Sequence, residues 1–289
     1  MIIDFFIRPP LKSFMDSDLY SNWNMPRGIF SRLTKGREST PATTQGIESF
    51  IDEFDASGID LGVVIGSISQ ASNRASAGNG TDELAEFINA YANRFRGVCA
   101  VDLASDNAVQ DVRRARQMGM IGVCVESYIG TGGQPLNAPQ FQDIYKAMEE
   151  EGLILVTPMN FMSGNNTSCN QPRQIEDLAI ACPKLRIVVP FSCYPKLNEF
   201  MAMTARYPDR IYGLPSFYFY YPCINTAQDQ ALMYNHMLQD QVLYGSGYPM
   251  RSLTQALRES LDRNWLPEPR EKFLCKNAAK LLGLNAGNA

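Results

Sequence analysis

Short apolar runs alternate along this chain with longer stretches in which apolar residues recur every three or four positions. The short runs are rich in β-branched residues and apolar almost throughout, which is typical of strands buried on both faces of a parallel sheet. The pattern predicts eight strands, over Ile2–Phe6, Leu61–Ile65, Gly97–Val101, Ile121–Glu126, Leu153–Thr157, Arg186–Phe191, Arg210–Leu214 and Val242–Ser246.

The stretches between these strands have a helical period. Before the second strand, the positions 47, 50, 51 and 54 are all apolar and follow the spacing of a helix that buries one face. Further helices are predicted around 84–91 and over Ala108–Met118, Phe141–Met148, Ile175–Ala181, Leu197–Ala205, Gln228–Leu238, Leu253–Leu261 and Glu271–Leu282. Strand-then-helix repeats across 289 residues predict an α/β protein. We expect a single-domain (β/α)₈ barrel, or TIM barrel, over residues 1–289.

The longest stretch without a regular pattern runs from about residue 8 to residue 46, directly after the first strand. Long loops in compact domains usually serve a function. Because this one leaves the carboxyl end of a barrel strand, it predicts a lid over the mouth of the barrel, where the active sites of such folds are built.

Composition and charge narrow the classes of partner. The formal net charge is −4, so neither nucleic acid nor an anionic membrane is expected to bind. No apolar stretch reaches the roughly 20 residues that span a bilayer. The first residues carry an acid at Asp4 and no basic segment of the kind that begins a signal peptide. We therefore expect a cytoplasmic protein whose partner is a small molecule.

Three segments resemble the amidohydrolase-related barrels, a family that includes metal-dependent decarboxylases, hydratases and lactonases of small carboxylated rings. The start of the chain, Ile2-Ile3-Asp4, resembles the family's opening strand, I-D-x-H-x-H. The sequence VLYGSGYP at 242–249 resembles its final strand, with a G-S-D-x-P pattern, and NAAKLLGL at 277–284 resembles its terminal helix. The resemblance implies a TIM barrel and, as oligomeric state, a homodimer.

The residues at the family's metal-ligand positions differ in this chain. Those positions hold Phe6, Arg8, Thr157 or Pro158, Phe191 and Gly247. Apart from the threonine hydroxyl, none offers a lone pair suited to zinc or manganese. The single histidine, His236, lies on a predicted helix of the outer ring. We therefore expect no metal and no other cofactor, so that any chemistry is metal-independent.

Side chains at the carboxyl ends of the strands are the candidates for function. The candidate catalytic groups are Glu126, Asp102 and Tyr248. The candidate substrate-binding residues are Arg8, Arg251, Phe6, Tyr128, Asn160, Phe191, Ser192 and Tyr218. Arginine binds carboxylates in a bidentate geometry, and aromatic side chains stack on planar ligands. The set therefore suits a small unsaturated or aromatic carboxylic acid, or a lactone.

Two interpretations of these residues remain open. Arg8 either forms a structural ion pair with Asp4, Asp102 or Glu126, or it holds the carboxylate of a substrate. Correspondingly, the protein is either a metal-independent hydrolase or lyase, similar to a lactonase or a decarboxylase, or a catalytically inactive barrel that binds a ligand or a partner protein. An enzyme requires titratable groups that converge on one pocket, whereas an inactive barrel could fill its mouth with aromatic rings.

Overall fold

The computed structural model describes residues 1–15, 46–68, 76–161, 167–220 and 227–284. Seven parallel strands lie in chain order within one sheet. They are β1 (Ile3–Ile7), β2 (Leu61–Ile65), β3 (Phe95–Ala100), β4 (Gly122–Cys124), β5 (Ile154–Val156), β6 (Ile187–Pro190) and β7 (Ile211–Leu214). Each overlaps a predicted strand. Most of the predicted lid, residues 16–45, lies outside the described residues.

Helices connect the strands and cover the outer face of the sheet. They are α1 (Lys12–Met15), α2 (Ile47–Ser57), α3 (Ser76–Ala90), α4 (Ala108–Gln117), α5 (Gln142–Glu150), α6 (Pro172–Ala181), α7 (Leu197–Arg206), α8 (Phe217–Tyr220), α9 (Ala227–Asn235), α10 (Leu253–Leu261), α11 (Pro267–Glu271) and α12 (Asn277–Leu282). The predicted helix Glu271–Leu282 is not one regular helix, because a π-helical turn, Lys272–Lys276, separates α11 from α12. In the described ranges, no helix is long and apolar enough to cross a membrane.

The predicted eighth strand, Val242–Ser246, is not a regular strand, yet this segment closes the ring. On one side, the backbone N–H of Leu243 donates to the carbonyl of Gly213 in β7, at 2.9 Å. On the other side, the N–H of Phe5 in β1 donates to the carbonyl of Tyr244, also at 2.9 Å. The chain therefore forms the TIM barrel that the sequence predicts, with the irregular segment Val242–Ser246, called here the eighth stave, in the place of the eighth strand.

A buried aspartate joins the two edges at this closure. The Oδ1 atom of Asp4 accepts hydrogen bonds from the backbone N–H groups of Phe6 (3.0 Å) and Ser246 (2.9 Å). Its Oδ2 atom is buried without a hydrogen-bond partner. Burial raises the pKa of Asp4 from 3.8 to about 7, although the hydrogen bonds to Ser246 and Phe6 oppose the rise.

Two apolar layers account for the apolar character of the strands. In β2, Val63 and Ile65 belong to the cluster that fills the inside of the barrel, together with Val156 and Val188 from the opposite wall. Val64 instead packs with the helices on the outside. Both faces of the sheet are thus buried, as the sequence pattern predicts for parallel strands.

Candidate functional site at the barrel mouth

Arg8 follows β1 and extends across the mouth of the barrel. Its Nε atom donates to the carbonyl of Ile65 (3.1 Å) and its Nη2 atom to the carbonyl of Gly66 (3.3 Å). The same Nη2 atom lies 2.8 Å from Oε1 of Glu126, which follows β4. Because β1 and β4 are separated by two strands, this ion pair spans part of the barrel opening. Glu126 is one of the three acidic partners that the sequence suggested for Arg8.

The Arg8–Glu126 pair is largely removed from solvent. The exposed fraction of the side chain is 9% for Arg8 and 15% for Glu126. The hydroxyl of Ser67 also donates to Oε1 of Glu126, at 2.8 Å. Below the pair lies Cys124, whose pKa is raised by burial and by the nearby Glu126 carboxylate, with Arg8 opposing the rise. Its position directly after β2 makes Ser67 a candidate on the sequence alone, although no specific role was predicted for it.

The other half of the mouth is an aromatic wall formed by Phe6, Phe191, Tyr194 and Tyr218. Phe6 and Phe191 meet edge to face with ring centroids 5.4 Å apart, and Phe191 makes a second edge contact with Tyr218 at 5.9 Å. Tyr218 stacks on Tyr194 at 4.2 Å with 14° between the ring planes. The guanidinium carbon of Arg8 lies 5.2 Å from the centroid of Phe6, which brings the charged and aromatic halves into contact.

An unusual backbone turn carries the end of the aromatic wall. Phe191, Ser192 and Cys193 have φ values of +68°, +48° and +56°, a left-handed run that L-residues disfavour. The turn directs the Ser192 hydroxyl toward Gly213 of β7, where an added Cβ would lie 3.2 Å from Oγ. The neighbours of Gly213 on β7, Tyr212 and Leu214, face the inside of the barrel, so Gly213 faces the helices. The Ser192 hydroxyl therefore lies on the helix side of β7 and not beside the Arg8–Glu126 pair. Its substrate-binding role stays a prediction. The buried thiol of Cys193 has a raised pKa and approaches the sulfur of Met159.

Two other predicted site residues have side chains with partners other than the Arg8–Glu126 pair, although the carbonyl of Tyr248 accepts the backbone N–H of Arg8 at 3.0 Å. The ring of Tyr248 packs on Phe50 of α2, with centroids 5.1 Å apart, on the helix side of the barrel wall. Burial raises the pKa of its phenol. Arg251 is fully buried and forms a two-point ion pair with Glu259 of α10, at 2.7 and 3.2 Å. The structure thus gives this guanidinium a protein carboxylate as partner, where the sequence suggested a substrate.

The remaining predicted residues lie at the ends of strands, as expected. Asp102 is buried after β3, and its Oδ1 atom accepts a hydrogen bond from the N–H of Ala104 at 2.9 Å. Tyr128 is partly buried with a φ of +76°, and its carbonyl accepts the N–H of Gly133. Asn160 is buried in the loop after β5. Their roles in catalysis or binding stay predictions.

The donor set at the family's metal-ligand positions does not suit a divalent metal. Phe6 and Phe191 contact each other there, and Arg8 brings a cation held by Glu126. The buried hydroxyl of Thr157 has no hydrogen-bond partner and is the one oxygen donor among these side chains. Throughout the described part of the chain, no group of three His, Cys, Asp or Glu side chains is arranged to hold a metal ion. Aromatic rings and a guanidinium do not ligate zinc or manganese.

Comparisons with known proteins agree with this architecture. A family model described as amidohydrolase matches residues 43–284. No curated protein matches the chain. A solved TIM-barrel protein from Bordetella bronchiseptica, itself uncharacterised, has a TM-score of 0.86 and 24% identity, with 98% of each chain covered. At lower similarity are a 2,6-dihydroxybenzoate decarboxylase from Rhizobium (TM-score 0.71, 15% identity, 98% of each chain) and a 5-carboxyvanillate decarboxylase from Sphingomonas paucimobilis (TM-score 0.71, 14% identity, 98% of this chain and 99% of that one). At these identities, the similarities establish the fold.

Proposed function

The chain belongs to the amidohydrolase family, and from this premise we propose that it is a metal-independent lyase that decarboxylates a small planar aromatic or unsaturated carboxylic acid. The Arg8–Glu126 pair carries the proposal. It places one positive charge and one titratable carboxyl group together in the barrel mouth, where active sites of this fold are built. These two groups are what metal-free removal of a carboxyl group requires.

The aromatic wall and Arg8 together suit a planar acid. The substrate ring would lie against the wall, and its carboxylate beside the Arg8 guanidinium, which the carbonyls of Ile65 and Gly66 orient. The decarboxylases among the structural relatives act on 2,6-dihydroxybenzoate and 5-carboxyvanillate, both small aromatic carboxylates. We propose the same substrate class for this chain.

Glu126 would supply the proton. A substrate carboxylate beside Arg8 shares the guanidinium with Glu126, and two nearby negative charges disfavour each other. Glu126 therefore takes up a proton when substrate binds. It then transfers that proton to the ring carbon that bears the carboxylate, forming a C–H bond. The C–C bond breaks, its electrons restore the ring, CO₂ leaves, and Glu126 remains as the carboxylate that pairs again with Arg8.

A second function, ligand binding without turnover, is favoured by the contact between Phe6 and Phe191. These rings meet at 5.4 Å and place apolar surface at the centre of the mouth. Such a mouth would hold an aromatic acid against Arg8 with no group required to move a proton. Turnover distinguishes this function from the lyase.

The test uses purified protein treated with a chelator and incubated with 2,6-dihydroxybenzoate, 5-carboxyvanillate and a pyrone lactone. We expect CO₂ release from an aromatic acid, unchanged by the chelator. Arg8→Met and Glu126→Gln should each lower the rate by about 100-fold or more, the usual scale for a general acid. Lys280→Met is the matched control, since Lys280 forms an ion pair with Asp209 in which both side chains are more than 60% exposed.

The other outcomes are equally specific. Turnover that appears only after manganese or zinc is added would contradict metal independence. Hydrolysis of the lactone without CO₂ release would replace the lyase by a hydrolase. An acid that raises the melting temperature without turnover would favour the binding function, because saturation to about 100 times Kd adds roughly 2.7 kcal/mol to the free energy of unfolding.

A further inference from the structure

Three consecutive residues at the end of β2 hold both members of the Arg8–Glu126 pair. The carbonyls of Ile65 and Gly66 accept from the guanidinium of Arg8, and the hydroxyl of Ser67 donates to Glu126. The segment itself is held closely against β3, because the N–H of Gly66 donates to the carbonyl of Val98 at 2.7 Å. A substitution in this segment would therefore affect both Glu126 and Arg8.

The two donors to Glu126 converge on the same oxygen. Both Nη2 of Arg8 and Oγ of Ser67 lie 2.8 Å from Oε1. Among the described residues, Oε2 has no hydrogen-bond partner, and the Glu126 side chain keeps 15% of its surface exposed. One oxygen of the carboxyl group is thus held by two donors, and the other is held by none of the described residues.

We propose that Ser67 is a positioning residue for Glu126, and that Oε2 of Glu126 is the atom through which the proton is transferred. A proton on Oε1 would compete with the two donors that already occupy this oxygen, whereas a proton on Oε2 leaves both hydrogen bonds in place. The assignment of Oε2 as the transfer atom rests on the proposed lyase function. The role of Ser67 in holding the Glu126 carboxyl group does not rest on that function.

A hydroxyl that donates to a carboxylate forms a charge-assisted hydrogen bond, which is stronger than a bond between neutral groups. The Ser67 hydroxyl should therefore hold the Glu126 carboxyl group in its orientation beside Arg8. Removing the hydroxyl leaves Nη2 of Arg8 as the described donor to Oε1, so the hydrogen bonding of the carboxylate should change. A serine that served only to fill space would leave this hydrogen bonding unchanged.

The first experiment measures the hydrogen bonding of the Glu126 carboxylate directly. Infrared difference spectra of protein with ¹³C-labelled glutamate, compared with Glu126→Gln, assign the carboxylate stretching band. In Ser67→Ala, this band should shift, because one of the two donors to Oε1 is lost. In Ser67→Thr, which keeps the hydroxyl, it should stay at the wild-type position. Ser49→Ala is the control, since the Ser49 hydroxyl on α2 bonds to the backbone carbonyl of Gly46. An unchanged band position in Ser67→Ala would overturn the role of Ser67.

The second experiment follows turnover in D₂O. Deuterium should enter the product at the carbon that lost CO₂, and kcat should fall in Ser67→Ala and be restored in Ser67→Thr. Deuterium incorporation at the wild-type rate in Glu126→Gln would overturn the assignment of Oε2. If wild-type protein releases no CO₂ from any acid, the lyase function and this assignment fail together, while the infrared band still decides the role of Ser67.

Discussion

Replacing Arg8 by methionine removes the positive charge from the mouth while keeping much of the apolar stem of the side chain. The Glu126 carboxylate would then be left with Ser67 as its remaining donor, in a side chain only 15% exposed. Removing one partner of a buried ion pair costs about 3–5 kcal/mol, because the other charge stays desolvated. Since Glu126 keeps some exposure to solvent, we expect Arg8→Met to lower the free energy of unfolding by about 3 kcal/mol.

A double-mutant cycle separates the pair from its surroundings. Glu126→Gln keeps an oxygen acceptor for the guanidinium of Arg8 and should cost about 1–3 kcal/mol. The double variant leaves neither charge behind. Its loss in free energy of unfolding should therefore be about 1–3 kcal/mol smaller than the sum of the two single losses. Guanidinium chloride unfolding at neutral pH measures all four proteins. Because guanidinium chloride is a salt, it screens exposed ion pairs strongly and buried ones weakly. It should therefore enlarge the difference between the Arg8–Glu126 pair and an exposed ion pair.

The control is an ion pair of similar length on the surface. Arg114 lies 2.6 Å from Asp82, and both side chains are about half exposed. Arg114→Met should cost about 0.2–1 kcal/mol. If Arg8→Met costs no more than Arg114→Met, the Arg8–Glu126 pair is hydrated in solution. The argument for a desolvated acid in the mouth would then be wrong.

Three further substitutions test other parts of the structure. The pKa of Asp4 is about 7 in the folded chain against an ordinary value of 3.8. The free energy of unfolding should therefore fall as the pH rises from about 4 to about 7. Asp4→Asn should therefore gain up to about 4 kcal/mol relative to wild type between about pH 4 and pH 8, measured by urea unfolding, and a difference independent of pH would contradict the raised pKa. Gly66→Ala would place a Cβ 2.5 Å from the backbone nitrogen of Ala100, so we expect a loss of about 3 kcal/mol or more and weaker binding of aromatic acids in a thermal-shift titration. Arg251→Met should destabilise the fold by about 3–5 kcal/mol, because it removes the guanidinium that forms the ion pair with Glu259. The affinity for an acid in the same titration should stay unchanged, and a loss of affinity would restore Arg251 as a binding residue.

The sequence predicts the strands well because both faces of the sheet are buried. The strands β2 and β4 to β7 are apolar throughout, whereas β1 and β3 each contain one charged residue, Asp4 and Arg96. The segment Val242–Ser246 is also largely apolar, yet it does not form a regular strand. Gly247 has a φ of +68°, and Pro249 has no N–H to donate, so the segment bonds to its neighbours at single points. Its position around the ring was predictable from chain order, but its irregular pairing was not.

The sequence predicts which residues of the site stand at the ends of strands, but not where every side chain points or what it pairs with. Arg8 and Glu126 each follow a strand closely, and the sequence predicts both at the mouth. Periodicity ends with the strand, so it gives no direction to Tyr248, which packs on the helix side. It also cannot show that Arg251 folds back onto Glu259, eight residues later. Choice of rotamer and of ion-pair partner depends on packing that no local pattern contains.

The closure at residues 242–246 has a consequence for how the chain is made. The hydrogen bond from the N–H of Ser246 to Asp4 joins positions 242 residues apart. Until the ribosome has released this last stave, β1 and β7 are the two open edges of a parallel sheet, and exposed sheet edges are templates for aggregation. Contacts of such sequence separation also form late and slowly. A chain that ends before Val242 should therefore accumulate as an aggregating open sheet.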